Sequence, residues 1–252
     1  MASITNDNKQ FFIVGSQRSG STLLKLILDS HPDIIVYEES ESYKKLENND
    51  YPQDRVVGFK IPIWTSRISW LKKEYPNAKY IFLKRDLRAI ACSMLTLKKE
   101  GQIWIQRNGL FDLECSIKDL DNPKDKTFFS KKLENLKSLN DWISISVLCA
   151  FVKCYYFLEE YRRFSLNVLE LEYETLVTNP DEEIKNILAF LCIRWNDNVL
   201  KHHKLNKGIW GGTNFQRKID INSINKWKSF FDDKNLEKIE KLIKELKKTI
   251  EY

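Results

Sequence analysis

Phe11-Phe12-Ile13-Val14-Gly15-Ser16-Gln17-Arg18-Ser19-Gly20-Ser21-Thr22-Leu23-Leu24-Lys25-Leu26-Ile27-Leu28 is the stretch whose reading decides the fold. Four apolar residues end at a glycine, and from Thr22 to Leu28 apolar residues recur at helical spacing, so the segment reads as strand, loop, helix. The first N–H groups of a helix have no intrahelical acceptor and face the loop before it, which makes such a unit an anion site. Gly15 and Gly20 permit close backbone approach, Ser19, Ser21 and Thr22 add hydroxyl donors, and Arg18 brings a fixed positive charge. A nucleoside-triphosphate loop of the form GxxxxGK[ST] has lysine where this chain has Ser21. The cation has moved to Arg18, which counts against a kinase, the main rival enzyme class for such a loop.

Working outward, Asp33 to Val36 follows the turn signal His31-Pro32, and Arg55 to Lys60 makes a third candidate strand that stops at Pro62. Lys79 to Leu83 then runs through Lys84-Arg85-Asp86 into helix-forming Leu87 to Leu97, which repeats the strand-to-helix pattern. Asp141 to Phe164 predicts a long helix capped by Asn140 or Asp141, and Leu166 to Leu171 alternates like a strand. Asn179-Pro180-Asp181 starts another helix through Leu191. A glycine-bearing loop, Gly208 to Thr213, precedes Ile224 to Phe231. The last helix is amphipathic, with Leu236, Ile239, Ile243, Leu246 and Ile250 inward. Strands alternating with helices predict a P-loop-like three-layer α/β/α sandwich with a central parallel sheet, whose ligands bind at the carboxyl ends of the strands. The 252 residues are expected to form one domain, 1–252, with polar, irregular residues 101–140 as an insertion or lid.

Composition narrows the class. Five scattered cysteines without a C-x-x-C pair read as reduced thiols rather than a metal or redox site. The opening residues lack a secretory signal pattern and no window resembles a membrane span, so a cytoplasmic protein without membrane association is expected. Residues 201–252 carry 13 Lys and Arg against 7 Asp and Glu, which concentrates the net charge of +6 in the C-terminal fifth. Such a tail can serve nucleic acid or another anion. Its inward apolar stripe instead predicts a helix packed on the domain with lysines outward, and no nucleic-acid partner.

The stretch IVGSQRSGSTLLKLILDSHPDIIVYEE resembles the opening of sulfotransferases that use 3′-phosphoadenosine-5′-phosphosulfate (PAPS), especially the tyrosylprotein and bacterial small-molecule branches with their RSG[ST]T loop and HP turn. The resemblance continues in family order at GFKIP, YIFLKRDLRAIACSML, VLELEYETLVTNPDEEIKNILAFL and INKWKSFF, over nearly the whole chain. It implies that Arg18, Ser19, Gly20, Ser21 and Thr22 grip the 5′-phosphosulfate and that Arg85 and Ser93 bind the 3′-phosphate. Tyr173, Thr213 and Lys226 match further positions of the nucleotide cradle. Alternatives stay open for several of these. Arg85 could pair with Asp86 at the surface, Ser93 could bond its own helix, Tyr173 could be a packing residue, and Trp227 could stack on adenine or plug the core.

Sulfuryl transfer is a displacement at sulfur. It needs a base for the acceptor's proton and a cation for the charge that grows on the leaving phosphate, and no metal is expected. Of the three histidines, His31 sits in a turn and His202-His203 in a basic stretch, so none suits the base. Glu38 and Glu39 follow the second strand, and by resemblance to the tyrosylprotein branch Glu39 is the base. Lys60 of GFKIP matches the family's strand-end lysine at the leaving phosphate, with Arg18 beside it. The acceptor side is expected from Tyr43–Leu46, Trp64–Trp70 and the 101–140 segment, with Trp104 and Phe111 as lining aromatics. Gly101 to Asp125 holds five acids against three bases, which favours a neutral or cationic small molecule over an acidic protein tyrosine.

Overall fold

β1 (Gln10–Gly15) is buried along its whole length because it runs down the middle of a parallel sheet, and its alternating side chains feed two separate cores. Phe12 and Val14 join one apolar cluster, and Phe11 and Ile13 join the other on the opposite face. A continuous apolar run is what a strand covered on both faces requires. The protein is described by a computed structural model over residues 9–164, 167–210 and 212–250. The chain start, Leu166 at the head of a predicted strand and Gly211 in the glycine-bearing loop lie outside the described residues, as does the side chain of Ile250.

After β1 come α1 (Ser21–Asp29), β2 (Ile34–Tyr37), α2 (Glu39–Glu47) and β3 (Val56–Lys60). A 3₁₀ turn over Pro62–Arg67 leads into α3 (Ile68–Glu74), β4 (Lys79–Lys84) and α4 (Leu87–Thr96). A short hairpin, β5 (Lys98–Lys99) and β6 (Gln102–Ile103), precedes α5 (Leu110–Asp119), α6 (Pro123–Ser138) and α7 (Trp142–Phe164). Next are β7 (Val168–Glu172), α8 (Tyr173–Thr178), α9 (Pro180–Leu191) and α10 (His202–Leu205). A second hairpin, β8 (Ile209–Trp210) and β9 (Thr213–Asn214), is followed by α11 (Lys226–Phe230) and α12 (Asp233–Ile250).

The main sheet has the order β2-β3-β1-β4-β7 with every pair parallel, so all five carboxyl ends lie along one edge. Leu24, Ile27 and Leu28 of α1 and Ile184, Ile187 and Leu188 of α9 cover one face, with Leu176 of α8. Ile90 and Met94 of α4 and Val147, Leu148 and Phe157 of α7 cover the other, where Phe82 and Phe157 stack at 4.0 Å between centroids. The expected three-layer sandwich is the observed one.

Residues 101–140 differ from the irregular segment read in the sequence. Beyond the β5–β6 hairpin they form α5 and α6, which bury Leu113 and Ile117, and Phe129, Leu133 and Leu136, in the core beneath α7. The apolar positions fall three or four apart, but so many charged residues separate them that periodicity is hard to see. Asp141, not Asn140, caps α7, accepting the Ser144 N–H at 3.2 Å. In α12 Ile239 and Leu246 are fully buried and Leu242, outside the expected stripe, is nearly so. Among the described residues no helix is long and apolar enough to cross a membrane.

Candidate active site

The loop between β1 and α1 is fixed by two close approaches. The Thr65 hydroxyl donates to the Gly15 carbonyl oxygen (2.8 Å) and accepts the Gly15 N–H (2.9 Å), clamping the loop start to the 3₁₀ turn. Gly20 caps α1 at a φ of 105°, and a β-carbon there would lie 2.3 Å from Cδ2 of Tyr173. Both backbone and space therefore demand glycine. Gly20→Ala is expected to destabilise the fold by about 1–3 kcal/mol through strain alone, read by urea unfolding, and to displace Tyr173 from the site.

Arg18 itself occupies the left-handed region, at a φ of 69°, and its Nε donates to Ser93 Oγ on α4 (3.1 Å). Arg85, just past β4, donates from one guanidinium nitrogen to the Arg18 carbonyl (2.9 Å) and from the other to the Ser223 carbonyl (2.8 Å). Its plane lies 4.2 Å over the Tyr173 ring. The surface pairing of Arg85 with Asp86 is not formed: Asp86 caps α4, accepting the Arg88 N–H at 2.8 Å and pairing with the Arg88 side chain. Ser93 faces Arg18. Trp227 takes the core alternative, buried with the Arg88 guanidinium 4.0 Å over its ring.

These residues enclose a cavity of about 400 Å³, lined by Arg18, Gly20, Ser21, Thr22, Arg85, Ser93, Tyr173, Thr213 and Lys226 among others. Nine of the ten residues expected around a nucleotide thus share one cavity. Ser19 is the exception, fully buried inside the loop with a hydroxyl that has no partner. Sequence reasoning missed Lys98, Arg217 and Lys218, which complete a set of six cations facing a single carboxylate, Asp220, itself paired with Arg217. For Arg217 and Lys218 the signal was the basic C-terminal fifth, but nothing in the sequence said that its loop lies against the same cavity as Lys98.

The electrostatics call for an anion. Burial and the neighbouring Arg85 push the Arg18 guanidinium down to about 10, and burial likewise lowers Arg85, whose Nε is buried without an acceptor. Two desolvated guanidiniums beside a helix N-terminus, one with an orphaned donor, suit a ligand carrying phosphate groups.

Lys60, at the end of β3, is buried with Nζ 2.6 Å from Glu38 Oε2 and 3.4 Å from Thr22 Oγ1. The cation missing at Ser21 is therefore supplied to the loop from the adjacent strand. Glu38 is held by Lys60, whereas Glu39, the first residue of α2, accepts the Ile63 N–H at Oε1 (2.8 Å). Burial raises the Glu39 pKa, and the Ile63 N–H, Lys60 and Lys153 oppose that rise. Neither Glu39 nor Lys60 lines the nucleotide-sized cavity, to which Lys60 connects through Thr22.

Around Glu39 lies an apolar surface. Tyr43, one turn along α2 and 54% exposed, meets Trp64 edge-on at 5.9 Å, and Trp64 meets Trp70 at 5.5 Å. Phe111 is 64% exposed, whereas Trp104 instead packs against Gly109 and the core. Two of the three histidines are occupied elsewhere: His31 Nε2 bonds the Arg194 carbonyl (2.9 Å) and His202 Nε2 the Arg217 carbonyl (3.2 Å).

The chain is similar to protein-tyrosine sulfotransferase 1 of Danio rerio, 24% identical over 269 residues, which cover 88% of this chain and 66% of that protein. It is also similar to protein-tyrosine sulfotransferase A of Caenorhabditis elegans, 27% identical over 77% of this chain and 52% of the relative. It therefore spans only part of their length. Among solved structures, the sulfotransferase domain of the Synechococcus PCC 7002 olefin synthase superposes with a TM-score of 0.57 at 18% identity, covering 92% of this chain and 94% of that one. A mouse sulfotransferase complexed with PAP, the desulfated nucleotide, gives 0.60 at 18% identity, covering 94% and 84%. Both share the fold. Residues 8–251 match the sequence profile of the sulfotransferase domain, and with the loop, sheet order and basic cavity in agreement, the chain belongs to the sulfotransferase family.

Proposed function

We propose that the chain transfers a sulfuryl group from PAPS to a hydroxyl or amine of a small-molecule acceptor, with Glu39 as general base. The observation that carries the donor side is the cavity in which Arg18 and Arg85 meet beside the start of α1. Arg18, Gly20, Ser21 and Thr22 hold the 5′ end of the nucleotide, and Ser19, buried beneath them, shapes the loop with its N–H donating to the Ser16 carbonyl (3.3 Å). Arg85 and Ser93 hold the 3′-phosphate that separates PAPS from ATP, and Tyr173, Thr213 and Lys226 complete the cradle. PAPS, when bound, supplies the sulfuryl group and the phosphate that leaves.

Glu39 takes the acceptor's proton, and the bond from acceptor oxygen or nitrogen to sulfur forms as the bond from sulfur to the phosphate oxygen breaks. Arg18 and Lys60 meet the charge left on that phosphate. Lys60→Ala is expected to lower turnover by about 10²–10³-fold while PAP affinity changes by less than about tenfold. The reverse pattern would make Lys60 a binding residue.

The exposed Tyr43, Trp70 and Phe111, with the half-buried Trp64, favour an acceptor with an apolar or aromatic body, bound on the α5 side of Glu39. On this reading residues 101–140 are the acceptor-binding part of a single domain. The five free cysteines suit a reducing cytosol. A tyrosine in a protein is the second reading, favoured by the curated relatives. Radiolabelled PAPS offered with apolar phenols and amines, and separately with an acidic tyrosine peptide, separates the two: label on the small molecules alone supports the first, and label on the peptide alone overturns it.

A further inference from the structure

A buried ion pair behind Glu39 has no part in the chemistry above. Lys153 of α7 is fully buried, and its ammonium has three protons and three acceptors: Asp112 Oδ1 of α5 (2.9 Å), the Ile63 carbonyl (3.0 Å) and the Pro62 carbonyl (3.2 Å). The Pro62 carbonyl and the Ile63 N–H belong to one peptide group, and that N–H donates to Glu39 Oε1. A single amide is thus gripped at its oxygen by a cation and at its nitrogen by the carboxylate.

We infer that Lys153, oriented by Asp112, is a positioning residue that acts on Glu39 through the Pro62–Ile63 peptide. This inference rests on the reading of Glu39 as the base only for its catalytic consequence. A cation on the carbonyl oxygen polarises the amide and makes its N–H a better donor, so the ionised form of Glu39 is favoured and its side chain is aimed. Buried ion pairs are weak devices for stability, since apolar replacements of equal volume often serve as well, which leaves orientation of the 3₁₀ turn as the reason to hold one here. Asp112 also leaves Oδ2 without a partner, an odd choice for a purely structural pair.

Glu39 is faced by Lys60 from β3, Lys153 from α7 and Asp112 from α5, with Glu38 alongside held by Lys60. The inference therefore predicts opposite effects from the two halves of one ion pair. Lys153→Met removes the cation on the Pro62 carbonyl, so Glu39 loses a stabilising charge. Asp112→Asn removes the anion while keeping an oxygen for the ammonium, so Glu39 gains.

The test is a pH titration of glutamate carboxyl carbons by NMR, on the full chain labelled at glutamate, with the Glu39 signal assigned by its loss in Glu39→Gln. Its midpoint is expected to rise by about one pH unit or more in Lys153→Met and to fall in Asp112→Asn. Midpoints that stay at the wild-type value, or that move in the same direction, overturn the inference. Should Lys153→Met fail to fold, the fall in the near-isosteric Asp112→Asn decides alone. Turnover of Glu39→Gln is read separately. If it is retained, the base assignment fails whatever the titration shows; if it is lost while the midpoints stay fixed, only the positioning role fails.

Discussion

Glu39→Gln is expected to lower turnover by about 10²–10⁴-fold, the range a positioned general base contributes, while leaving PAP affinity at the wild-type value. Glutamine has the same size and keeps an oxygen for the Ile63 N–H, so the first turn of α2 stays in place and only the proton acceptor is removed. The same residue sets a pH dependence with a defined sign. Burial raises the Glu39 pKa, so its carboxylate is lost as pH falls through a value above the ordinary range of about 4.3. Activity therefore declines on the acid side at higher pH than a solvated glutamate would give. An acid limb of kcat/KM at or below that range would remove Glu39 from the role, as would a Gln variant with wild-type turnover.

Arg85→Ala is expected to weaken PAP binding by about 2–5 kcal/mol, roughly 30- to 4,000-fold, because a buried guanidinium that meets a phosphate is lost and its neighbours are left unpaired. Adenosine 5′-monophosphate, which lacks the 3′-phosphate, should lose far less. A parallel loss for both nucleotides would instead mean that Arg85 serves to brace the loop through the Arg18 and Ser223 carbonyls. The control is informative because the terminal nitrogens of Arg85 already hold backbone and its face lies against Tyr173, so bracing alone would cost both nucleotides equally.

What the sequence showed and what it hid divides along physical lines. The loop and its flanking elements were legible because every local preference agrees there: an apolar strand, glycines at two positions of positive φ, and a helix with its buried face in register. The parallel sheet followed from repetition of that unit. α5 and α6 were not legible, since their buried positions are thin among charges and their helical order comes from packing against α7. Arg217 and Lys218 read as one more solvated charge run until β8 and β9 bring them over the cavity. Lys153 and Asp112 are 41 residues apart on two helices, and each alone reads as an exposed charge; only the tertiary fold makes them a pair. Adjacent Glu38 and Glu39 are separated in role by their partners, Lys60 and the Ile63 N–H, neither of which is near them in the chain.

On the proposed function, the cavity beside α1 takes a nucleotide with a 3′-phosphate. Calorimetric titration of the wild-type chain with PAP, adenosine 5′-monophosphate and magnesium ATP tests it directly. Arg18, Arg85, Ser93 and Lys226 around one cavity predict that PAP binds tightest by at least about tenfold, the least expected from one charge-assisted phosphate contact. Equal affinity for PAP and the monophosphate, or tighter binding of magnesium ATP, would contradict it.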